Sequence, residues 1–479
     1  MGPVFLLFVS LALCGGVAMG FVLASTALGK ATLAMVLAAP FAALVFAWAL
    51  ERPQNIPYYL IVGCYFSMFN FKLGFGDFNV RPNMVVLLAS AAILGCRLLL
   101  GMDAWRRIPY LKALGLVGAA YTLSTLLYVR SQFFVRGLAD CVLYFVNLAH
   151  FGLMVRLLSE NEKLLEKATR FLMYSSLLYC SSYVLAFLAG RLDFGILGAI
   201  FVNLEGETGA FSRISGFSTT QASFISFPLV FQLGSLLVAR ERAVFGGRLM
   251  TLACGTSLMA FALTFARGPW LAFAMTTAAM MVFCLARFSR KRVFLKTGVR
   301  LAASLSLVLA ASWLYVTLAP GTMEMLATRA EGMWVLDTGT ADDRITLWHR
   351  MWEDFKTAPV LGHGAHAYAA FLEAEEQITE NFPLELLHSA GLVGGGLFLL
   401  VNFLVVRKGM GRVWTWDRFQ RNPLVFCFLF AYLCLFLASL TNPGMTGGMF
   451  WVALGLLVTS LRLGHDGDGP EARLGSAHE

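Results

Sequence analysis

Charge is scarce in this chain of 479 residues: Asp, Glu, Lys and Arg make up 14% of it against 58% hydrophobic residues. The mean hydropathy of +0.71 is far above that of soluble domains. A large soluble catalytic domain is therefore excluded. Cysteines supply no framework either, because all nine (Cys14, Cys64, Cys96, Cys141, Cys180, Cys254, Cys284, Cys427, Cys434) fall in apolar runs without CxxC pairs or metal spacing. Period-two alternation is missing from runs such as 301–318, which excludes an outer-membrane barrel. The N-terminus lacks a basic leader and a small-residue cleavage site, so its apolar stretch is expected to be a retained first span. No internal repeat is visible. What is present is apolar sequence in long blocks, and a hydrocarbon core about 30 Å thick takes roughly 20 such residues per helix. The fold class is all-α: a polytopic transmembrane helix bundle of about 12–14 spans with a large, partly helical outside loop.

The apolar runs predict helices over about 4–26, 32–50, 56–71, 83–101, 108–129, 137–158, 170–190, 218–239, 249–266, 268–286, 299–319, 384–406, 423–441 and 446–462. Net charge is +9, from 37 basic and 28 acidic residues, but in a membrane chain position matters more than total, and no nucleic-acid partner is implied. Taking alternate connections as one side gathers 25 of the 37 basic residues there, so by the positive-inside rule both termini are expected in the cytoplasm. The domain plan is then 1–319 with about eleven spans and an outside loop near 191–217, a large outside loop over 320–383, C-terminal spans over 384–462, and a disordered cytoplasmic tail over 463–479.

The 320–383 loop and its edge hold twelve of the 28 acids and His349, His363, His366 and His388 of the seven histidines. Inside it Ile345, Trp348, Met351, Trp352 and Phe355 recur at helical spacing behind Thr340 or Asp342 as N-cap, predicting an amphipathic helix that stops before Pro359. Its apolar face is expected to rest on the bilayer or on the bundle. Asp140 and His150 are ionisable residues in a span body, with Arg136 one turn from Asp140. Gly391, Gly394, Gly395 and Gly396 leave a helix surface bare for close packing of a neighbour.

The same loop carries the string Arg344, Trp348, Pro359, Gly362, Gly364, then Glu380, Asn381, Leu384, Leu387 and Gly391. This resembles the O-antigen ligase and polymerase superfamily, whose outside loop reads Arg, three residues, Trp, then Pro and Gly-x-Gly, leading into a polar pair, an apolar helix start and a Gly. Arg213, Gly216 and the polar stretch 218–221 are similar to the family's Arg-x-x-Gly segment, and Arg267-Gly268 to its Arg-Gly pair.

The resemblance implies a C-type glycosyltransferase. Its donor would be an undecaprenyl-diphosphate-linked oligosaccharide and its acceptor a glycan or lipid A core, at the periplasmic face of a bacterial inner membrane. Membrane lipids would surround it, with room for contacts to other polysaccharide-assembly proteins. A diphosphate leaving group needs cations, and arginine offers a planar, permanently charged fork, so Arg213, Arg344 and Arg267 are the candidates. An acceptor hydroxyl needs a base, and Glu380 lies at a helix entrance where it could equally be an N-terminal helix charge. Asn381 reads as an N-cap as well as a substrate contact, while Trp348, Gly362, His363 and Gly364 complete the expected substrate-binding set. No cofactor and no metal are implied: His363 and His366, near Glu373 and Glu376, form a loop HxxH that lacks the helical context of a zinc site. His388 reads as a packed or hydrogen-bonded histidine.

Ligases of the family place His directly before the Asn, whereas this chain has Glu380-Asn381, as polymerases more often do. The reading is therefore an O-antigen or exopolysaccharide polymerase, with O-antigen ligase as the alternative. A lipid-linked glycan flippase is the alternative from another class, disfavoured by the absent repeat and by polar features gathered in one outside loop.

Overall fold

A computed structural model describes residues 53–66, 73–75, 78–80, 82–99, 107–129, 131–192, 219–237, 247–262, 264, 266–287, 299, 306, 310, 340–365, 367, 381–441 and 448–466. The expected spans at 4–26, 32–50 and 299–319 fall wholly or almost wholly outside these residues. So do Arg213, Glu380, His366, Glu373, Glu375, Glu376 and the tail beyond Asp466.

The chain divides into two compact units at 107/108. In the first, a short 3-10 turn (Pro53–Asn55) leads into α1 (Ile56–Phe66), which packs with α2 (Pro82–Leu99). Between them β1 (Leu73–Phe75) pairs antiparallel with β2 (Phe78–Val80), Leu73 opposite Val80. The hairpin follows the expected 56–71 span, whose residues 67–71 lie outside the described residues. Its signal was present in the Gly76-Asp77 pair between alternating apolar residues.

The second unit is an all-α bundle. Its elements are α3 (Leu111–Tyr128), α4 (Ser131–Leu158), α5 (Glu162–Leu192), α6 (Thr219–Leu237), α7 (Gly247–Ala262), α8 (Arg267–Arg287), α9 (Thr340–Phe355), α10 (Phe382–Gly391), α11 (Leu397–Val413), α12 (Trp416–Arg421), α13 (Pro423–Ala438) and α14 (Gly448–Asp466). Leu111–Tyr128, Phe134–Leu158, Gly268–Ala286 and Phe382–Val413 are long and apolar enough to cross a membrane, and shorter apolar helices accompany them. The protein is thus an all-α polytopic membrane protein, and every expected span that falls on described residues is found as a helix. Exposed Leu116, Leu126, Leu271, Val282 and Phe403 fit a surface that meets lipid.

Aromatic side chains fill the core. Phe231 packs on Phe428 (centroids 4.8 Å apart) to join α6 to α13, and Tyr144 meets Trp451 edge-on at 5.2 Å to join α4 to α14. Tyr432 hydrogen-bonds buried Asn402, so the polar atom of each is satisfied away from water. His150, fully buried in α4, turns its Nδ1 toward the Val146 carbonyl one turn back.

Helix polarity follows from these contacts. Ser235 lies against Cys427 and Ser226 against Cys434, so α6 and α13 run antiparallel. Tyr144 with Trp451, and Met154 with Gly455, make α4 and α14 parallel. The ends of α13 and the starts of α4, α6 and α14 therefore share one end of the unit. At the opposite end gather Arg156, Lys163, Lys167, Arg170, Arg248, Arg287, Arg407, Lys408, Arg412, Arg418, Arg421 and Arg462, the distribution that the positive-inside rule associates with the cytoplasmic side.

Candidate functional site

The site end is knitted together around the last turn of α13. Phe382 N–H, at the start of α10, donates to the Ser439 carbonyl at 3.1 Å. Gly268, second residue of α8, packs so tightly on Thr441 that an added Cβ would lie 2.6 Å from the Thr441 Cβ. Arg267 is the first residue of α8, and Trp270 Nε1 ties that turn to the Phe261 carbonyl at the end of α7. Because α6 also begins here, the N-termini of α6, α8 and α10 converge. Each presents the positive end of a helix dipole, an arrangement suited to anions.

Asn381 caps α10: its Oδ1 accepts from Leu384 N–H at 3.1 Å, and Pro383 occupies the first turn, where no amide hydrogen is needed. Such a cap contributes about 1 kcal/mol, so Asn381 has a structural reason for its identity whatever it contacts. Buried Glu385 complements the helix dipole one residue further in.

The amphipathic helix is α9, and it stops before Pro359 as expected. Its buried stripe is Leu347, Met351 and Phe355 with half-buried Trp348, and Leu347 and Met351 pack on Leu384 of α10. The helix therefore rests on the bundle. Ile345 and Trp352, expected on that face, are instead 61% and 46% exposed, since they sit a quarter turn or more off the stripe. Arg344 lies in the first turns of α9, four residues before Trp348. On the outer surface Lys356 donates to Glu353 at 2.6 Å, and that hydrogen bond holds the Glu353 carboxyl below its ordinary range.

The Pro359–Gly364 segment explains the glycine spacing. Gly391 adopts φ 65°, ψ −166° and ends α10, and residues Leu392–Gly396 form a π-helical turn before α11 resumes the direction. That break frees backbone groups, and the loop satisfies them in both directions. Leu392 N–H and Val393 N–H donate to the carbonyls of Pro359 (2.8 Å) and Val360 (3.2 Å), while His363 N–H and Gly364 N–H donate to those of His388 (2.8 Å) and Ser389 (2.9 Å). Backbone approach this close leaves no room for side chains: a Cβ on Gly362 would lie 2.5 Å from the His388 carbonyl oxygen, and one on Gly391 2.6 Å from Leu361 N. Gly362, Gly364 and Gly391 all have positive φ. The loop then wedges against α3 and α4: Ala365 N–H donates to Thr125 Oγ1 at 2.9 Å, and a Cβ on Gly137 would meet the Ala365 carbonyl.

The glycine run expected to pack against a neighbouring helix does so only in part. Gly394 faces Ala120 and the Val117 carbonyl of α3, Gly395 faces Leu387 of its own chain segment, and Gly396 has nothing nearer than 4.0 Å. A π-turn, which places five residues per hydrogen-bonded ring, rotates successive glycines onto different neighbours.

At the foot of the loop His388, fully buried, places Nε2 2.8 Å from Asp354 Oδ2, and His363 places Nε2 3.3 Å from the same oxygen. Thus His388 is a hydrogen-bonded histidine as expected. Asp354 is a site residue that sequence reasoning missed, because it is one acid among many and its partners lie nine and 34 positions away. His363 meets His388 and Asp354.

Of the expected residues, the structure brings Arg267, Asn381, Trp348, Gly362, His363 and Gly364 to the elements that surround α10, with Arg344 on the helix strapped against it. Arg213, six residues ahead of α6, and Glu380, one ahead of Asn381, lie outside the described residues. No curated protein and no solved structure matches the chain. Residues 252–399, from the first turns of α7 to the first turn of α11, match the family model described as O-antigen ligase.

Proposed function

We propose that the protein is a polymerase that joins undecaprenyl-diphosphate-linked glycan units at the outer face of the inner membrane. The observation that carries this reading is the convergence of three helix N-termini, with Arg267 opening α8 and Arg344 on the helix packed against α10, at the end of the bundle opposite its basic residues. In the reaction the acceptor hydroxyl oxygen bonds to the donor's anomeric carbon, the bond from that carbon to the diphosphate oxygen breaks, and the electron pair leaves with undecaprenyl diphosphate. Arg213, Arg267 and Arg344 bind the leaving diphosphate, aided by the helix ends, so no metal ion is needed there. Glu380 takes the acceptor's proton, and Trp348 and Asn381 line the approach. The docked loop holds these parts in register.

The acidic Glu380 before Asn381 favours polymerase over ligase. The glycan profile of a deletion strain tests this: the reading predicts loss of the long-chain ladder with a single repeat retained. Loss of all lipid A-linked glycan would make the protein a ligase, and an unchanged profile would refute both.

A further inference from the structure

Asp354, His363 and His388 come from three separate segments, the last turn of α9, the docked loop and the body of α10, and one ligand atom of each lies within 4.8 Å of the others. We propose that they form a divalent transition-metal site of the zinc class, in which the ion takes Nε2 of both histidines and a carboxylate oxygen of Asp354, with water in the remaining position. The ion would clamp α9 and the loop onto α10, apart from the arginines to which the diphosphate is assigned.

The geometry is preorganised. His363 N–H is fixed on the His388 carbonyl at 2.8 Å, which holds the two rings stacked with centroids 5.0 Å apart and 30° between planes. Both Nε2 atoms then converge on one carboxylate oxygen, at 2.8 and 3.3 Å. With metal bonds of about 2.0–2.1 Å, the edges of a tetrahedral site are about 3.3 Å, against 2.8 and 3.3 Å for the two histidine–carboxylate edges and at most 4.8 Å for the remaining one, so seating an ion takes a side-chain adjustment and no change of fold. As a ligand set, two imidazoles and one carboxylate suit a divalent cation of the zinc class. Lys356, close by in sequence, is engaged with Glu353. Imidazole nitrogen selects zinc, cobalt or nickel over calcium and magnesium. Asp354 and His363 are 23% and 24% exposed, which provides a path for the ion and room for water, while His388 is buried.

The competing description is a trio linked by hydrogen bonds alone. His363 Nε2 also lies 3.0 Å from the Asp354 carbonyl oxygen and 3.1 Å from Thr357 Oγ1, and metal binding would displace the proton that makes those contacts. The two descriptions separate in one experiment. The full chain is purified in detergent with a histidine-free tag, stripped with chelator and titrated with Co2+. The site predicts visible ligand-field absorption saturating at one equivalent and displaced by Zn2+, together with a higher thermal midpoint in Zn2+ than in chelator. Asp354→Asn keeps the shape of the side chain, and His363→Ala removes a ligand. Each should weaken Co2+ binding at least tenfold, while His366→Ala binds as the parent does. No absorption and no midpoint change in the folded parent would overturn the proposal. So would undiminished binding in Asp354→Asn and His363→Ala, or loss of binding in His366→Ala. If His363→Ala fails to fold, Asp354→Asn and His363→Gln carry the comparison.

Discussion

Replacing Gly391 by alanine tests how the loop and the helix break support one another. At φ 65°, ψ −166° the backbone lies in a region that only glycine enters readily, and holding another residue there costs about 1–3 kcal/mol. The added Cβ would also overlap the Val360 carbonyl and come within 2.6 Å of Leu361 N, so the loop must shift. That shift strains the paired bonds from Leu392 and Val393 to Pro359 and Val360, each worth about 0.5–1.5 kcal/mol. Together the effects predict a loss of about 2–6 kcal/mol. Gly396→Ala is the control, because its Cβ would meet nothing nearer than 4.0 Å in a helical backbone, and it should be neutral or gain up to about 1 kcal/mol. Thermal unfolding of the two purified variants in detergent, with limited proteolysis of the 359–365 loop, reads the difference. Equal midpoints and equal protection would refute the claim that Gly391 is fixed by the docked loop.

Three further outcomes follow from the site. Arg267→Lys and Arg344→Lys keep the charge but lose the planar fork, so transfer should fall at least tenfold at matched expression; full activity in both would assign these arginines to headgroup anchoring. For Glu380, Gln should leave transfer near zero while Asp retains part of it, and a Gln variant that turns over donor at the parent rate would return Glu380 to a helix-end role. A single cysteine at Glu375 in a cysteine-free background should react with an impermeant maleimide in intact spheroplasts, and labelling only after permeabilisation would reverse the orientation.

Much of the bundle was legible because burial in lipid demands long apolar runs, and helices such as α3, α4 and α13 fall where those runs do. The existence and end of α9 were legible from its spacing and from Pro359. Its buried face was not, because Ile345 and Leu347 are equally apolar and only the position of Leu384 decides between them. The docking of the loop was hidden for a different reason. Its strength lies in backbone hydrogen bonds, which any sequence can make, and the only trace is glycine at 362, 364 and 391, where side chains would obstruct them. The same limit applies to Asp354, whose pairing with His363 and His388 depends on how that loop is folded back. Asn381 was readable as a cap from Asn followed by Pro383, and the structure gives it that bond.

The central claim is that this end of the bundle transfers glycan from a polyprenyl diphosphate. Purified protein in liposomes, given undecaprenyl-diphosphate-linked repeat units and followed by mass spectrometry of the lipid fraction, addresses it directly. Free undecaprenyl diphosphate should be released in step with lengthening of the carrier-linked glycan, and both products should fall at least tenfold in Arg344→Lys. Donor that the parent protein leaves intact, or moves between leaflets without cleaving, would contradict it.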